Sequence, residues 1–140
     1  MRICQECGAI STEKRWFYDE SLRQQAAAQG LPVDFVVCPG CRRVHDKRVD
    51  GVVTLSGSYW AAHRQDVLNL VRNEETRVRA KNPVSRILEM RDEDGKLVIM
   101  TTNERLAQRL GSVLKRAYSG TLQFQWSHQD RFVRVNWHRD

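Results

Sequence analysis

This 140-residue chain is poor in several features that would mark common protein classes. No apolar run approaches the roughly 20 residues that span a bilayer, so no transmembrane helix is expected. Met1-Arg2-Ile3-Cys4 leads into no signal-type apolar stretch, and the expected location is therefore the cytoplasm. There is no Gly-rich phosphate loop, no nucleophile elbow with a Ser-His-Asp order and no H-E-x-x-H, so the usual signatures of phosphoryl transfer, acyl transfer and metalloproteolysis are missing. The acidic run Asp92-Glu93-Asp94 reads as a solvated turn rather than as paired catalytic carboxylates. Together these absences lead us to expect a protein that is not an enzyme.

Acidic groups are also in deficit. Twenty-three Lys and Arg face 17 Asp and Glu, a formal net charge of +6, which suits a polyanionic partner. The excess is spread along the chain with no basic tail, so an anion site has to be built by folding. The densest cluster is Arg42, Arg43, His45, Lys47 and Arg48, and Arg64, Arg72 and Arg134 are further candidate RNA contacts. A solvated cationic surface is the alternative.

Cysteine is scarce too, yet all four residues fall into two pairs, Cys4-Gln5-Glu6-Cys7-Gly8 and Cys38-Pro39-Gly40-Cys41, with 30 residues between them. Each C-x-x-C makes a tight turn whose amides point at the thiolates, and two such turns facing each other form a closed tetrahedral site of four sulfurs. Structural zinc is the expected ion; iron in the same thiolates is the less favoured one, because geometry alone does not separate them. Two disulfides are disfavoured in a reducing compartment. A thioredoxin-like pair would need one C-x-x-C opening a helix after a strand, whereas both pairs here are expected in loops. With four protein thiolates on the metal no position is left for water or substrate, so the ion serves folding.

The expected architecture is α+β. A four-cysteine zinc ribbon with an aromatic-rich insert occupies residues 1–57, a long connecting helix 58–82, and a β-β-α-β-β unit 83–140. In the insert, Trp16, Phe17 and Tyr18 are expected to roof the metal core, with stacking on bases as the alternative, followed by a helix from about Asp19 to Gln29 that Gly30 caps. Val33–Val37 and Val52–Leu55 read as strands. Ser58 is expected to cap the long helix, with Tyr59, His63, Val67, Leu70, Val71 and Val78 on its apolar face and His63 a packed histidine. That helix could project as a strut or lie along a phosphate backbone.

Arg86–Arg91 and Lys96–Met100 form an expected hairpin around Asp94-Gly95. Thr101 and Glu104 suggest a capping box that opens a helix with Leu106, Leu110, Val113, Leu114 and Ala117 on one face. Two alternating strands follow, joined by a turn at Ser127–Asp130. The result is one helix packed on a four-stranded antiparallel sheet. If Leu122, Phe124, Trp126, Val133, Val135 and Trp137 face the helix, the open face shows Gln123, Gln125, Arg134, Asn136 and His138. Such a polar, cationic face could meet RNA sugars and phosphates without the exposed aromatics that RNA-recognition sheets use.

The order C-x-x-C-G, aromatic-rich insert, C-P-x-C-R-R, Gly51-Val52-Val53-Thr54-Leu55-Ser56-Gly57 and a helix ending in Val71-Arg72-Asn73-Glu74-Glu75 resembles a bacterial zinc-ribbon family of uncharacterised proteins. That group is similar in turn to the N-terminal zinc-binding region of the archaeal and eukaryotic adaptor that accompanies the large ribosomal subunit during export and late maturation. The resemblance implies attachment to the ribosome, on the subunit-joining side of the large subunit and its ribosomal RNA, with a role in stress or dormancy as an extension. The adaptor's additional cysteines and further domains have no counterpart here, and Cys4, Cys7, Cys38 and Cys41 transfer as metal ligands alone. Three functions therefore stand as expectations: a non-enzymatic RNA or ribosome-binding protein acting in translation or hibernation, a protein-protein adaptor, and a redox-sensitive regulator in which oxidation releases the metal.

Overall fold

The computed structural model describes residues 1–13, 15–127, 129 and 131–140. The chain is α+β, as its two modes of apolar periodicity imply. Its N-terminal part is a small sheet of β1 (Arg2–Cys4), β2 (Ile10–Ser11), β3 (Trp16–Phe17) and β4 (Asp34–Val36) in the order β3-β2-β1-β4. Helix α1 (Glu20–Gln29) crosses between β3 and β4, opened by the Asp19 carboxylate, which accepts from the Leu22 amide, and closed by Gly30 with φ of 66°. The β1–β4 pairing is parallel, with Cys4 opposite Val36, so both C-x-x-C turns emerge at the same end of the sheet. Cys38 then opens α2 (Pro39–His45).

The second sheet contains β5 (Gly51–Ser56), β6 (Ile87–Glu93), β7 (Lys96–Thr101), β8 (Thr121–Ser127) and β9 (Phe132–His138) in the order β6-β7-β5-β9-β8. The expected β-β-α-β-β unit is present, but its two hairpins do not touch along a common edge. β5 lies between them, antiparallel to β7 and parallel to β9, and the sheet is five-stranded and mixed rather than four-stranded and antiparallel. The reason lies in the strand's own side chains: Val53 and Leu55 are fully buried, and an apolar strand of this kind gains most with a hydrogen-bonded neighbour on each side.

Helix α5 (Glu104–Tyr118) covers one face of this sheet, and its Leu106, Ala107, Leu110 and Leu114 meet Val53, Leu55, Leu97, Ile99, Val133, Val135 and Trp137 in one buried cluster. Gly111 permits the close approach, since a β-carbon there would stand 2.6 Å from Val135 Cγ1. The helix is capped by Asn103, whose side chain accepts from the Leu106 amide; the expected cap Thr101 instead ends β7 and donates to the Asn103 carbonyl.

The connecting segment is two helices, α3 (Ser58–Ala62) and α4 (Arg64–Lys81), broken at His63. Ser58 is the first helical residue rather than the cap, and its amide is satisfied by the Asp140 carboxylate. His63 is exposed and stacks on Tyr59, with ring centroids 4.2 Å apart, so it is not the packed histidine of the expectation. Nor does α4 project: Val67, Val71 and Val78 are buried in the same cluster as α5. On β8, Leu122 and the Phe124 ring edge lie against Gly111, but Phe124 and Trp126 are 40% and 48% exposed on this edge strand. The open-face assignment of Arg134 and His138 holds, whereas the turn expected at His128 and Asp130 lies outside the described residues. No described helix is long and apolar enough to cross a membrane.

Candidate metal centre

The four cysteines converge. Cys4, Cys38 and Cys41 are buried, Cys7 is half-buried, and all four Sγ atoms lie within 4.8 Å of one another. Two of the pairs are close, Cys7–Cys38 at 3.6 Å and Cys4–Cys41 at 3.7 Å. A tetrahedron with metal–sulfur bonds of about 2.3 Å has edges of about 3.8 Å, so the sulfurs already stand at ligand spacing for one ion. The second turn also supplies amides: Cys38 N donates to Cys4 Sγ at 3.3 Å, and Cys41 N to Cys38 Sγ at 3.4 Å. The second pair does open a helix after a strand, contrary to the expectation of two loops. What separates it from a redox pair is that Cys4 and Cys7 complete its coordination sphere.

A charge that sequence reasoning missed sits directly on the sulfurs. Arg86, immediately before β6, is 7% exposed, and its guanidinium lies 3.4 Å from Cys41 Sγ, 3.5 Å from Cys7 Sγ and 3.7 Å from Cys38 Sγ. Nε donates to the Pro83 carbonyl at 2.8 Å, while the backbone amide donates to Thr102 Oγ1, so both ends of the residue are held. Four thiolates around a divalent ion carry a net charge of −2, and a buried cation offsets part of it. Burial alone would push the guanidinium down, yet the neighbouring thiolates and Tyr18 raise it further above its ordinary value.

The sulfurs themselves are unequal. Burial pushes the Cys41 thiol up to about 12, with Arg86 offsetting only part of the effect. At Cys7 burial acts in the same direction, but the Tyr18 hydroxyl and the Ala9 amide outweigh it and bring the thiol down to about 6. Tyr18 thus belongs to the site, as expected for the aromatic insert, and its hydroxyl also accepts from Arg79 Nε at 3.0 Å. Trp16 packs on the same cluster, with Arg2 over its ring at 5.3 Å. Gly40 is required for this packing: a β-carbon would stand 2.2 Å from the Pro83 carbonyl and 2.9 Å from Arg86 Nη2. The chemistry available is tight retention of one thiophilic ion with no open coordination position.

The basic candidates divide into paired and gathered groups. Arg43 donates to the Thr102 carbonyl at 2.9 Å and shares Asp50 with Arg48, and His45 is held 2.8 Å from Glu6. Lys47 is exposed in the left-handed turn after α2. Arg42, Arg43 and Arg48 nevertheless line one depression of about 400 Å³ together with Arg2, Trp16 and Asp46. The other three lie elsewhere: Arg64 forms a two-bond pair with Asp92, Arg72 pairs with Glu75, and Arg134 covers the Phe132 ring. Neither Arg86 nor Arg2 carries a local signal, since each acquires its role from contacts made across the fold.

No family model, no curated protein and no solved structure matches this chain.

Proposed function

We propose that this is a non-enzymatic zinc-ribbon protein that binds RNA on the ribosome, contacting the large subunit and hindering subunit joining in stressed or resting cells. The observation that carries the reading is the depression beside the metal ribbon, where Arg2, Arg42, Arg43 and Arg48 surround Trp16 with Asp46 as the acid in its lining. Arginines beside a half-exposed indole offer phosphate contacts and a stacking surface in one place. The closed four-thiolate site supports zinc as a fold-holding ion and gives the metal no part in hydrolysis. The resemblance of the motifs to a bacterial zinc-ribbon family, which is similar in turn to the ribosomal adaptor's zinc region, points the same way.

Sedimentation of the tagged protein from growing and starved cells tests this, at two salt concentrations and with RNase as control. Co-migration with large subunits or whole ribosomes, weakened by salt and lost after RNase, is the expected result, because each cation that neutralises a phosphate steepens the salt dependence. Confinement to the light fractions in every condition would overturn it. Metal analysis of the purified protein is expected to return one zinc ion per chain.

One observation favours a second reading, a protein-protein adaptor. Edge strand β8 carries no charged side chain along its seven residues and exposes Phe124 and Trp126, a surface that suits a protein strand better than a polyanion. Complexes that survive RNase would favour it.

A further inference from the structure

The strongest convergence of unneutralised charge lies away from the ribbon, where the C-terminal end of α4 meets the first turns of α5. Arg77 and Lys81 are one helical turn apart on α4, and Arg105 and Arg109 are one turn apart on α5, so each helix presents its pair on one face. All four line a single cleft of about 140 Å³, with Val78 and Asn82 completing its wall. Among the described residues the acid that pairs with any of them is Glu74, which is 3% exposed and stands 3.8 Å from Arg77 and 3.5 Å from Arg109. Four cations against one carboxylate leave an excess of three positive charges around a small opening.

The placement of these residues is informative. Lys81 at the C-terminal end of α4 is where a helix macrodipole favours a cation, but Arg105 in the first turn of α5 is where it favours an anion. Arg105 therefore gains nothing from its own helix, whereas an anion in the cleft would be attracted by the cations and by the start of α5 together. Buried Glu74 orients Arg77 and Arg109 toward the opening without cancelling the cleft's charge. The volume is well below the ~300–1,000 Å³ of a small-molecule pocket, so it suits one compact oxyanion rather than a whole nucleotide.

We propose that this cleft binds a single phosphate group, either free or within the backbone of an RNA. It is a site separate from the depression beside the ribbon and does not depend on it. Of its four cations, none is among Arg64, Arg72 and Arg134, the contacts outside the ribbon first suggested by charge.

The test is a titration of the metal-loaded full chain with inorganic phosphate, then pyrophosphate, followed by amide NMR, with sodium chloride at matched ionic strength as the blank. Saturable shifts of Asn82, Arg105 and Arg109 are expected, absent from the blank and abolished in the double variant Lys81→Gln/Arg105→Gln. These substitutions leave the Glu74 pairs intact, and unchanged signals from Val53, Ile99 and Val135 report that the variant is folded. Shifts that do not saturate, or that are the same in the variant, would overturn the proposal.

A second arm adds a short uridine-rich RNA. If RNA displaces phosphate, the variant's slope of log affinity against log salt should fall by about 1.4, at about 0.7 for each cation lost on a single strand. If phosphate binds but RNA leaves these signals unmoved, the cleft holds free phosphate and stands. If RNA binds the chain while neither ligand moves the cleft signals, the cleft proposal falls and the RNA reading survives.

Discussion

Among the described residues, fifteen buried apolar residues from the C-terminal sheet and the helices packed on it, from Val53 to Trp137, form one cluster, whereas the cluster beside the ribbon is assembled from Ala9 and three cysteines. Ile3, Ile10 and Ala26 add little more apolar volume to that N-terminal part. A region of this size buries little surface to offset the entropy of ordering its chain, so an ion held by the four sulfurs is expected to supply much of its stability. The larger sheet has the opposite arrangement, with apolar burial doing what coordination does in the ribbon. The two regions meet at Arg86, which the sheet region contributes and the ribbon's sulfurs surround.

The largest expected effect breaks the comparison on the ribbon side. A structural four-thiolate zinc site holds on the order of 10–16 kcal/mol of binding free energy, so chelation, or Cys38→Ser, should unfold residues 1–45 while leaving β5, β7 and β9 protected. Hydrogen exchange read by mass spectrometry checks this. Loss of protection in both regions at the same chelator concentration would show that the sheet depends on the metal as well. The converse variant is Leu110→Ala, which opens a cavity beside fully buried neighbours and should cost about 2–5 kcal/mol in global unfolding. Denaturant melts of the sheet region should move while metal affinity, measured by chelator competition, stays the same.

Arg86 tests the joint between the regions. Arg86→Leu keeps much of the packing and removes the cation, and a partner in the outer shell of a metal site typically contributes a factor of about 10–100 in affinity. We expect a loss of that order in chelator competition, with partial recovery in Arg86→Lys, which restores charge without the planar fork. Equal affinity in all three proteins would mean that Arg86 is simply packed there. Gly40→Ala should act on the same joint, since its new methyl would press on the Pro83 carbonyl that holds Arg86 Nε.

The ribbon was legible in the sequence to the extent that its contacts are local. C-x-x-C spacing and Gly30 at a helix end each report on a few neighbouring residues, and the structure places them as expected, with Asp19 the cap of that helix rather than its first residue. Arg86 was not legible, because its partners are 45 to 79 residues away and nothing in Ser85-Arg86-Ile87 distinguishes a sulfur contact from a solvated strand end. The same applies to β5. Val52–Leu55 reads as a strand, but whether it closed the ribbon or entered the second sheet depended on a parallel pairing with β9 across some 80 residues of chain. The misplaced caps have another cause: Thr101 and Ser58 satisfy the local rule, yet Asn103 and the Asp140 carboxylate reach the open amides once the strands are paired. Phe124 and Trp126 keep the expected alternation and lose only the full cover, since β8 is the edge strand of the sheet.

The smallest expected effects sharpen the comparison by making one change in both regions. Asp19 and Asn103 do the same job, each accepting from an amide three residues on at 3.0 Å. An N-cap replaced by Ala typically loses about 1 kcal/mol. Asn103→Ala should lower the global stability of the sheet region by about that amount, because α5 is part of its core and unfolds with it. Asp19→Ala should not move that transition at all. Helix α1 buries only Ala26, so its cap reports on local fraying, and the expected signature is faster exchange confined to residues 20–29 with metal affinity unchanged. If Asp19→Ala shifts the global melt as much as Asn103→Ala does, α1 is coupled to the large core and the ribbon is not the separately held region that its sparse burial implies.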